Sequence, residues 1–259
     1  MAKATTAVYL YGVVRAAKRP SMTRVPGGVP GARRPEISTV GPSLWIVTAV
    51  VPLSVFGPAA LEPRLGDLDW VAQVAVAHEA VVEHFVKRKT STVIPAKLFT
   101  MFSTLDRAAA DVAARKDAVQ RTMRHIAGAE EWGVRVFRRP VAQPAKPTGV
   151  AASGAEFLRG RQQTRAAVAT ARIVAADAAD VAFDRLSRHA RDAHVREARA
   201  EPGTNPPLLD AAFLVTLTAR ARFKAEARRQ APALDAAGAD LVISGPWPAY
   251  HFVTAGDRA

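Results

Sequence analysis

The chain has 259 residues, with 49% hydrophobic and 23% charged side chains, enough apolar material for one large or two ordinary folded domains. It has no cysteine, which excludes disulfides and thiolate chemistry and leaves any metal site without sulfur ligands. Its net charge of +13 and pI near 10.9 raise the question of a nucleic-acid partner. Much of that charge is arginine scattered among alanines, as in Arg185 to Arg199 and Arg220 to Arg229, which is the pattern of solvated helix faces. The longest apolar run, Leu44 to Gly57, is broken by Pro52 and falls short of the roughly 20 residues a membrane helix needs. Ala7 to Val14 is too short for a signal core and runs directly into Arg15, Lys18 and Arg19. A cytoplasmic protein with no membrane partner is expected.

Val8 to Val14 alternates around Gly12 and predicts a strand with two apolar faces. Residues 18–39 are rich in Pro, Gly and Arg and predict a flexible basic loop, dispensable for folding. Leu44 to Val51 predicts a second strand. A helix capped by Asp67 or Asp69 carries Trp70, Val74, Val81 and Phe85 on one stripe and closes on Lys87-Arg88-Lys89. Thr92 to Ile94 is a third strand, a helix from Ser103 or Thr104 runs to Gly128, and Trp132 to Phe137 is a fourth strand. The long loop stands where a βαββαβ unit has its first helix. The first part therefore predicts an α+β, ferredoxin-like domain over residues 1–139.

Pro140, Pro144 and Pro147 mark residues 140–150 as a linker. Residues 151–259 predict a smaller α/β domain with long helices. It would hold an Ala-rich helix from about Gly160 to Ala200, bent or projecting, the strand Leu208 to Leu217, the helix Ala219 to Leu234 and the strand Ala239 to Ser244. No internal repeat is visible. The chain closes on Ser244-Gly245-Pro246-Trp247-Pro248-Ala249-Tyr250-His251-Phe252-Val253, where the prolines exclude a helix and favour a rigid extended tail.

Signatures of chemistry are missing. His78-Glu79 begins like a zinc-protease motif, but the next histidine is His84, six residues on and about 120° round a helix rather than adjacent on one face. No G-x-S-x-G, P-loop or G-x-G-x-x-G is present. Glu130-Glu131 reads as a turn into the next strand. No catalytic residue, metal or cofactor is expected. Tyr9, Tyr11 and Trp132 could stack bases, but the glycine–aromatic alternation of an RNA-binding sheet is absent, and core burial is the better reading.

Six segments in order resemble the gas vesicle accessory F/L family (GvpF/GvpL). Tyr9 to Val14 resembles its "YxYGIV" strand, and Asp67 to Trp70 with Ala77 to Val82 its "DLxWL…AxxHExVV" helix. Val93-Ile94-Pro95-Ala96-Lys97 resembles "VLPLRFG", Glu131 to Val136 "EWGVKV", and Leu209 to Val215 "LNAAFLV". The tail resembles "GPWPPYxF". Leu98-Phe99 replaces the family's Phe-Gly, which puts the turn after Pro95 in question, and Ala249 replaces the tail's second proline. The resemblance implies a two-domain α+β, non-enzymatic accessory structural protein, needed for gas vesicle assembly. It further implies binding to the small hydrophobic shell protein (GvpA type) and to other accessory proteins, in the cytoplasm and associated with the vesicle. Candidate partner-binding or structural residues are Gly245, Pro246, Trp247, Pro248, Tyr250, Phe252, Pro95, Lys97 and Trp132. Trp247 is expected to pack on the second domain, near Leu209–Val215, with Tyr250 and Phe252 extending a partner-binding edge. The alternative function is a basic nucleic-acid-binding α+β protein, whose affinity would fall steeply with salt.

Overall fold

The computed structural model describes residues 5–88, 90–139, 154–197 and 206–253. It is an α+β protein that divides into two compact units, one of residues 1–130 and 247–259, the other of residues 131–246. The expected boundary near residue 139 thus differs from the observed one, and the expected linker, residues 140–150, lies outside the described residues.

The first unit runs β1 (Thr6–Ala16), β2 (Glu36–Gly41), β3 (Leu44–Pro52), short helices α1 (Leu53–Phe56) and α2 (Pro58–Arg64), α3 (Leu68–Val86), β4 (Ser91–Pro95), β5 (Met101–Phe102), α4 (Leu105–Ala114) and α5 (Lys116–Ile126). The sheet order is β2-β3-β1-β4, with β5 also on β1, and β1 is antiparallel to β3, β4 and β5. A bulge at Tyr11 shifts the register, since Leu10 faces Thr48 while Gly12 already faces Val47. The bulge changes which residues share a face, so Tyr9, Tyr11 and Val14 all enter the core cluster with Val74, Val81 and Phe85 of α3. Helix α3 lies against β1 and β4, and α4 and α5 touch β1, β2 and β4. Asp67 caps α3 by accepting from the Trp70 N–H at 3.1 Å, and Thr104 caps α4 through the Arg107 N–H at 3.2 Å. The single helix expected from Thr104 to Gly128 is broken at Arg115 into α4 and α5.

Residues 18–39 do not form a free loop. Their last four belong to β2, a strand the sequence reading missed, and Val25, Val29 and Ile37 join the core cluster. The Val29 N–H donates to Tyr11 Oη at 3.0 Å, and the Arg33 N–H donates to the Val50 carbonyl at 2.8 Å. A few well-placed apolar residues and backbone bonds anchor a segment that composition alone marks as unstructured. Gly28 sits at φ 86°, and a Cβ there would lie 2.4 Å from Tyr11 Oη. That hydroxyl is committed to Val29 and cannot move aside freely. Gly28→Ala is expected to destabilise the first unit by about 2 kcal/mol, measured by chemical denaturation. A stability equal to wild type would show that the loop is not pinned there.

The second unit runs β6 (Ala129–Arg138), α6 (Gly154–Ser187), β7 (Asp192–Val195), β8 (Leu209–Thr216), α7 (Arg220–Ala236) and β9 (Ala239–Trp247), and the 3-10 turn that follows in sequence, Tyr250–Phe252, belongs to the first unit. Its sheet order is β7-β8-β6-β9, with β7 and β8 antiparallel. The expected fourth strand of the first sheet, Trp132–Phe137, is therefore in the second sheet. The full βαββαβ sequence of elements belongs to the second unit, whereas the first has the same strand order but no helix between β1 and β2. The core packs Trp132, Val134 and Val136 against Ala175, Ala179, Ala182 and Leu186 of α6 and Phe213 and Phe223. Helix α6 has 34 residues, roughly 50 Å in length. It ends at Ser187, and β7 occupies residues where the helix was expected to continue.

Candidate functional site

Several of the singled-out residues meet in the first unit, in a pocket of about 410 Å³ lined by Ala75, His78, Glu79, Pro95, Lys97, Leu98, Tyr250 and His251. Helix α3 brings His78 and Glu79, the end of β4 brings Pro95, the turn after it brings Lys97 and Leu98, and the 3-10 turn brings Tyr250 and His251. Tyr250 Oη donates to Glu79 Oε2 at 2.6 Å, joining residues 171 apart in sequence. That bond fixes the tail over α3 and sets one wall of the pocket.

Beneath the pocket lies an aromatic cluster. His78 is 3% exposed, and its ring centre is 5.7 Å from Tyr9 and 5.5 Å from Tyr11. Tyr9 Oη accepts from the Phe99 N–H at 3.3 Å and is 2.9 Å from His78 Nδ1. Its own proton is then directed to Nδ1, which assigns the histidine proton to Nε2. Burial pushes the His78 pKa down to about 4, opposed by the Ala96 carbonyl near the ring. That carbonyl acts at a distance, since Nε2 makes no hydrogen bond of good geometry. Burial raises the Tyr9 pKa above its ordinary value and pushes Tyr11 up to about 12, with the Phe99 and Val29 N–H groups respectively opposing the rise. All three groups are neutral near pH 7, so the cluster is a buried, uncharged floor.

The turn after Pro95 keeps a left-handed residue although its glycine is missing: Phe99 has φ 63°. Its ring stacks on Trp70 at 5.8 Å and 12°, an aromatic contact that offsets part of the backbone strain. His84, the second histidine of α3, is held by Arg88 Nη2 at 3.0 Å. Among the described residues no group of three or more His, Cys, Asp or Glu side chains is arranged around a metal. No helix of the described residues is long and apolar enough to cross a membrane.

The tail corrects the expected roles of its aromatics. Trp247 is 44% exposed and absent from the second core, whereas Phe252 is 4% exposed and Pro248, Ala249 and Val253 are buried. Trp247 and the residues after it belong to the first unit. Phe252 therefore stabilises the fold, and Trp247 faces solvent, the reverse of the expectation. Gly245 has φ 119° and precedes a cis peptide bond to Pro246, itself exposed. Trp132 is buried in the second core, tilted against Phe223 at 6.2 Å, and contributes nothing to this pocket. Sequence reasoning selected Pro95, Lys97 and Tyr250 but missed Glu79 and His251. Glu79 was visible as part of an incomplete zinc motif and of the segment Ala77 to Val82, and no local pattern pairs it with Tyr250.

The comparisons with known proteins agree with this architecture. A curated protein of Streptomyces sp. (strain CB03234), "Gas vesicle protein L", is 32% identical over 266 residues, covering 94% of this chain and 91% of that protein. The crystal structure of the gas vesicle protein GvpF from Anabaena sp. PCC7120 superposes with a TM-score of 0.67 at 15% identity, over 96% of this chain and 97% of the other. GvpF from Microcystis aeruginosa gives a TM-score of 0.61, also at 15% identity, over 96% and 99% of the two chains. These structural likenesses carry the α+β fold. The family model "Gas vesicle synthesis protein GvpL/GvpF" matches residues 7–254, and the chain belongs to that family.

Proposed function

We propose that this gas vesicle accessory protein is a non-enzymatic assembly factor that binds the small hydrophobic shell protein, with Trp247 as an anchor. Family membership supports the accessory role, and the exposed Trp247 is the observation that carries the contact. A large indole left in water between two prolines loses little backbone freedom on docking, and tryptophan is enriched among residues that dominate binding energy. Tyr250 and Phe252 hold the segment behind it, through the bond to Glu79 and through burial respectively. In this reading the protein works in the cytoplasm at the growing vesicle, contacts other accessory proteins as well, and needs no cofactor.

Trp247→Ala is expected to leave thermal stability nearly unchanged while weakening shell-protein binding by about 2 kcal/mol, roughly 30-fold. Calorimetric melting and a pull-down with purified shell protein measure the two effects, and vesicle yield in producing cells should fall alongside. Wild-type binding and yield in a folded Trp247→Ala protein would remove the anchor.

A further inference from the structure

The Trp247 contact leaves unused the pocket of about 410 Å³ over α3. That volume falls in the range of ligand-binding cavities. On α3 the pocket opens beside Ala75, whose side chain is a single methyl, and Pro95 and Leu98 supply apolar walls. The walls are fixed before any ligand arrives. Tyr250 Oη donates to Glu79 at 2.6 Å, and the Lys97 carbonyl accepts from the Thr100 N–H at 3.1 Å and from the Thr100 hydroxyl at 2.8 Å. A preformed cavity spares an incoming group the cost of ordering it.

The charges around the pocket select what can enter. Glu79 and Lys97 both line it, and the floor at His78 is uncharged near pH 7. A carboxylate would be repelled by Glu79 and an ammonium by Lys97, whereas an uncharged group meets neither penalty. The apolar walls favour a hydrocarbon side chain. Lys97 is exposed and makes no ion pair among the described residues, so its ammonium is available to a carbonyl next to that side chain. Apolar surface also continues beyond the pocket. Leu68 and Val76 are 78% and 71% exposed, the two most exposed large hydrophobic side chains among the described residues. Leu68 precedes Ala75 by two turns of α3, about 20° round the helix and about 10 Å along it. A small solute does not span that distance, but a polypeptide segment with two apolar side chains does.

We infer that the pocket takes one uncharged apolar side chain of a partner polypeptide, with Lys97 donating to the neighbouring backbone carbonyl and Leu68 receiving a second apolar side chain. This deepens the shell-protein reading, on which the identity of the partner rests. N-acetyl-L-leucinamide mimics the seated residue, and N-acetylglycinamide lacks its side chain. The full chain is titrated with each compound and followed by NMR, as wild type, Ala75→Met, Lys97→Met and Leu68→Ser, with a melting curve to check each fold. Saturable millimolar binding of the leucine compound alone is expected. Ala75→Met fills the cavity and should weaken that binding about tenfold, and Lys97→Met, by removing the donor, about threefold. Leu68→Ser should leave it unchanged. Retention of purified shell protein should fall about tenfold with Ala75→Met and about fivefold with Leu68→Ser, but not with Ile173→Ser, an exposed apolar residue of α6. No saturable binding, equal binding of the two compounds, or wild-type binding by a folded Ala75→Met protein would overturn the pocket. Leucinamide binding with full shell-protein retention in both Ala75→Met and Leu68→Ser would overturn it as a partner contact, with the Trp247 anchor intact. Loss of retention in those two variants but not in Trp247→Ala would uphold the pocket and remove the anchor.

Discussion

Phe252→Ala is expected to destabilise the first unit by about 3–5 kcal/mol, the range for truncating a buried aromatic ring. The ring is 4% exposed and its neighbours Ala249 and Val253 are buried, so the vacated volume has no easy route to collapse. The loss would appear as a fall in the melting temperature of roughly 10 °C. Tyr250→Phe probes the same segment through a different interaction. It removes the bond to Glu79 without opening a cavity and should cost about 1–2 kcal/mol. Trp247→Ala should cost almost nothing in stability, because its ring already contacts water. The order Phe252, Tyr250, Trp247 in destabilisation is therefore the signature of a tail docked by its far end with its tryptophan displayed. Equal effects of Phe252→Ala and Trp247→Ala would contradict it, as would a Phe252→Ala protein that melts like wild type.

That order was not legible in the sequence. Trp247, Tyr250 and Phe252 are all aromatic, and the pattern gives no means of deciding which faces inward. The 3-10 turn at Tyr250–Phe252 makes the decision by rotating the chain after Pro248. Local signals did well where a backbone group must be satisfied nearby. The caps Asp67 and Thr104, the strand Leu44–Pro52 and the helix after Ala219 all lie where side-chain chemistry and periodicity put them. Pairing over long distances was the weak link. The alternation of Trp132, Val134 and Val136 identifies a strand, but the choice of sheet depends on β8 and β9, which follow far later in the chain. Strand β2 was hidden because Glu36–Gly41 is short, half polar and preceded by a Pro/Gly/Arg-rich stretch. Its place is set by hydrogen bonding to β3 across a tight hairpin in which Ser43 takes φ 58°. Of the pocket residues, His78, Glu79, Pro95, Lys97 and Tyr250 all lie in matching segments, while the bond that brings the tail to Glu79 exists only in three dimensions.

The first unit is expected to lose about 3 kcal/mol of stability as the pH falls from 6.5 to 4, because of His78 alone. Above pH 6.5 the imidazole is neutral in both the folded and unfolded chains and contributes no pH dependence. Between 6.5 and about 4 the unfolded chain binds a proton that the buried ring refuses, so protonation favours unfolding. Below about 4 the folded form is protonated too, and the slope disappears. Tyr9 and Tyr11 face the ring but stay neutral throughout this window, since burial moves both towards higher pH. Carboxylates elsewhere also titrate in part of the window, so the comparison must be made against a variant. His78→Gln keeps an acceptor for the Tyr9 hydroxyl and removes the titrating group. Denaturant titrations of both proteins at a series of pH values would isolate the histidine as the difference between their slopes. Glutamine should give the flatter curve from pH 6.5 to 4, at some loss of stability at pH 7 from imperfect packing. Parallel curves would mean that the His78 ring takes up its proton in the fold as readily as in the unfolded chain. The neutral aromatic floor beneath the Glu79–Tyr250 pocket would then be wrong.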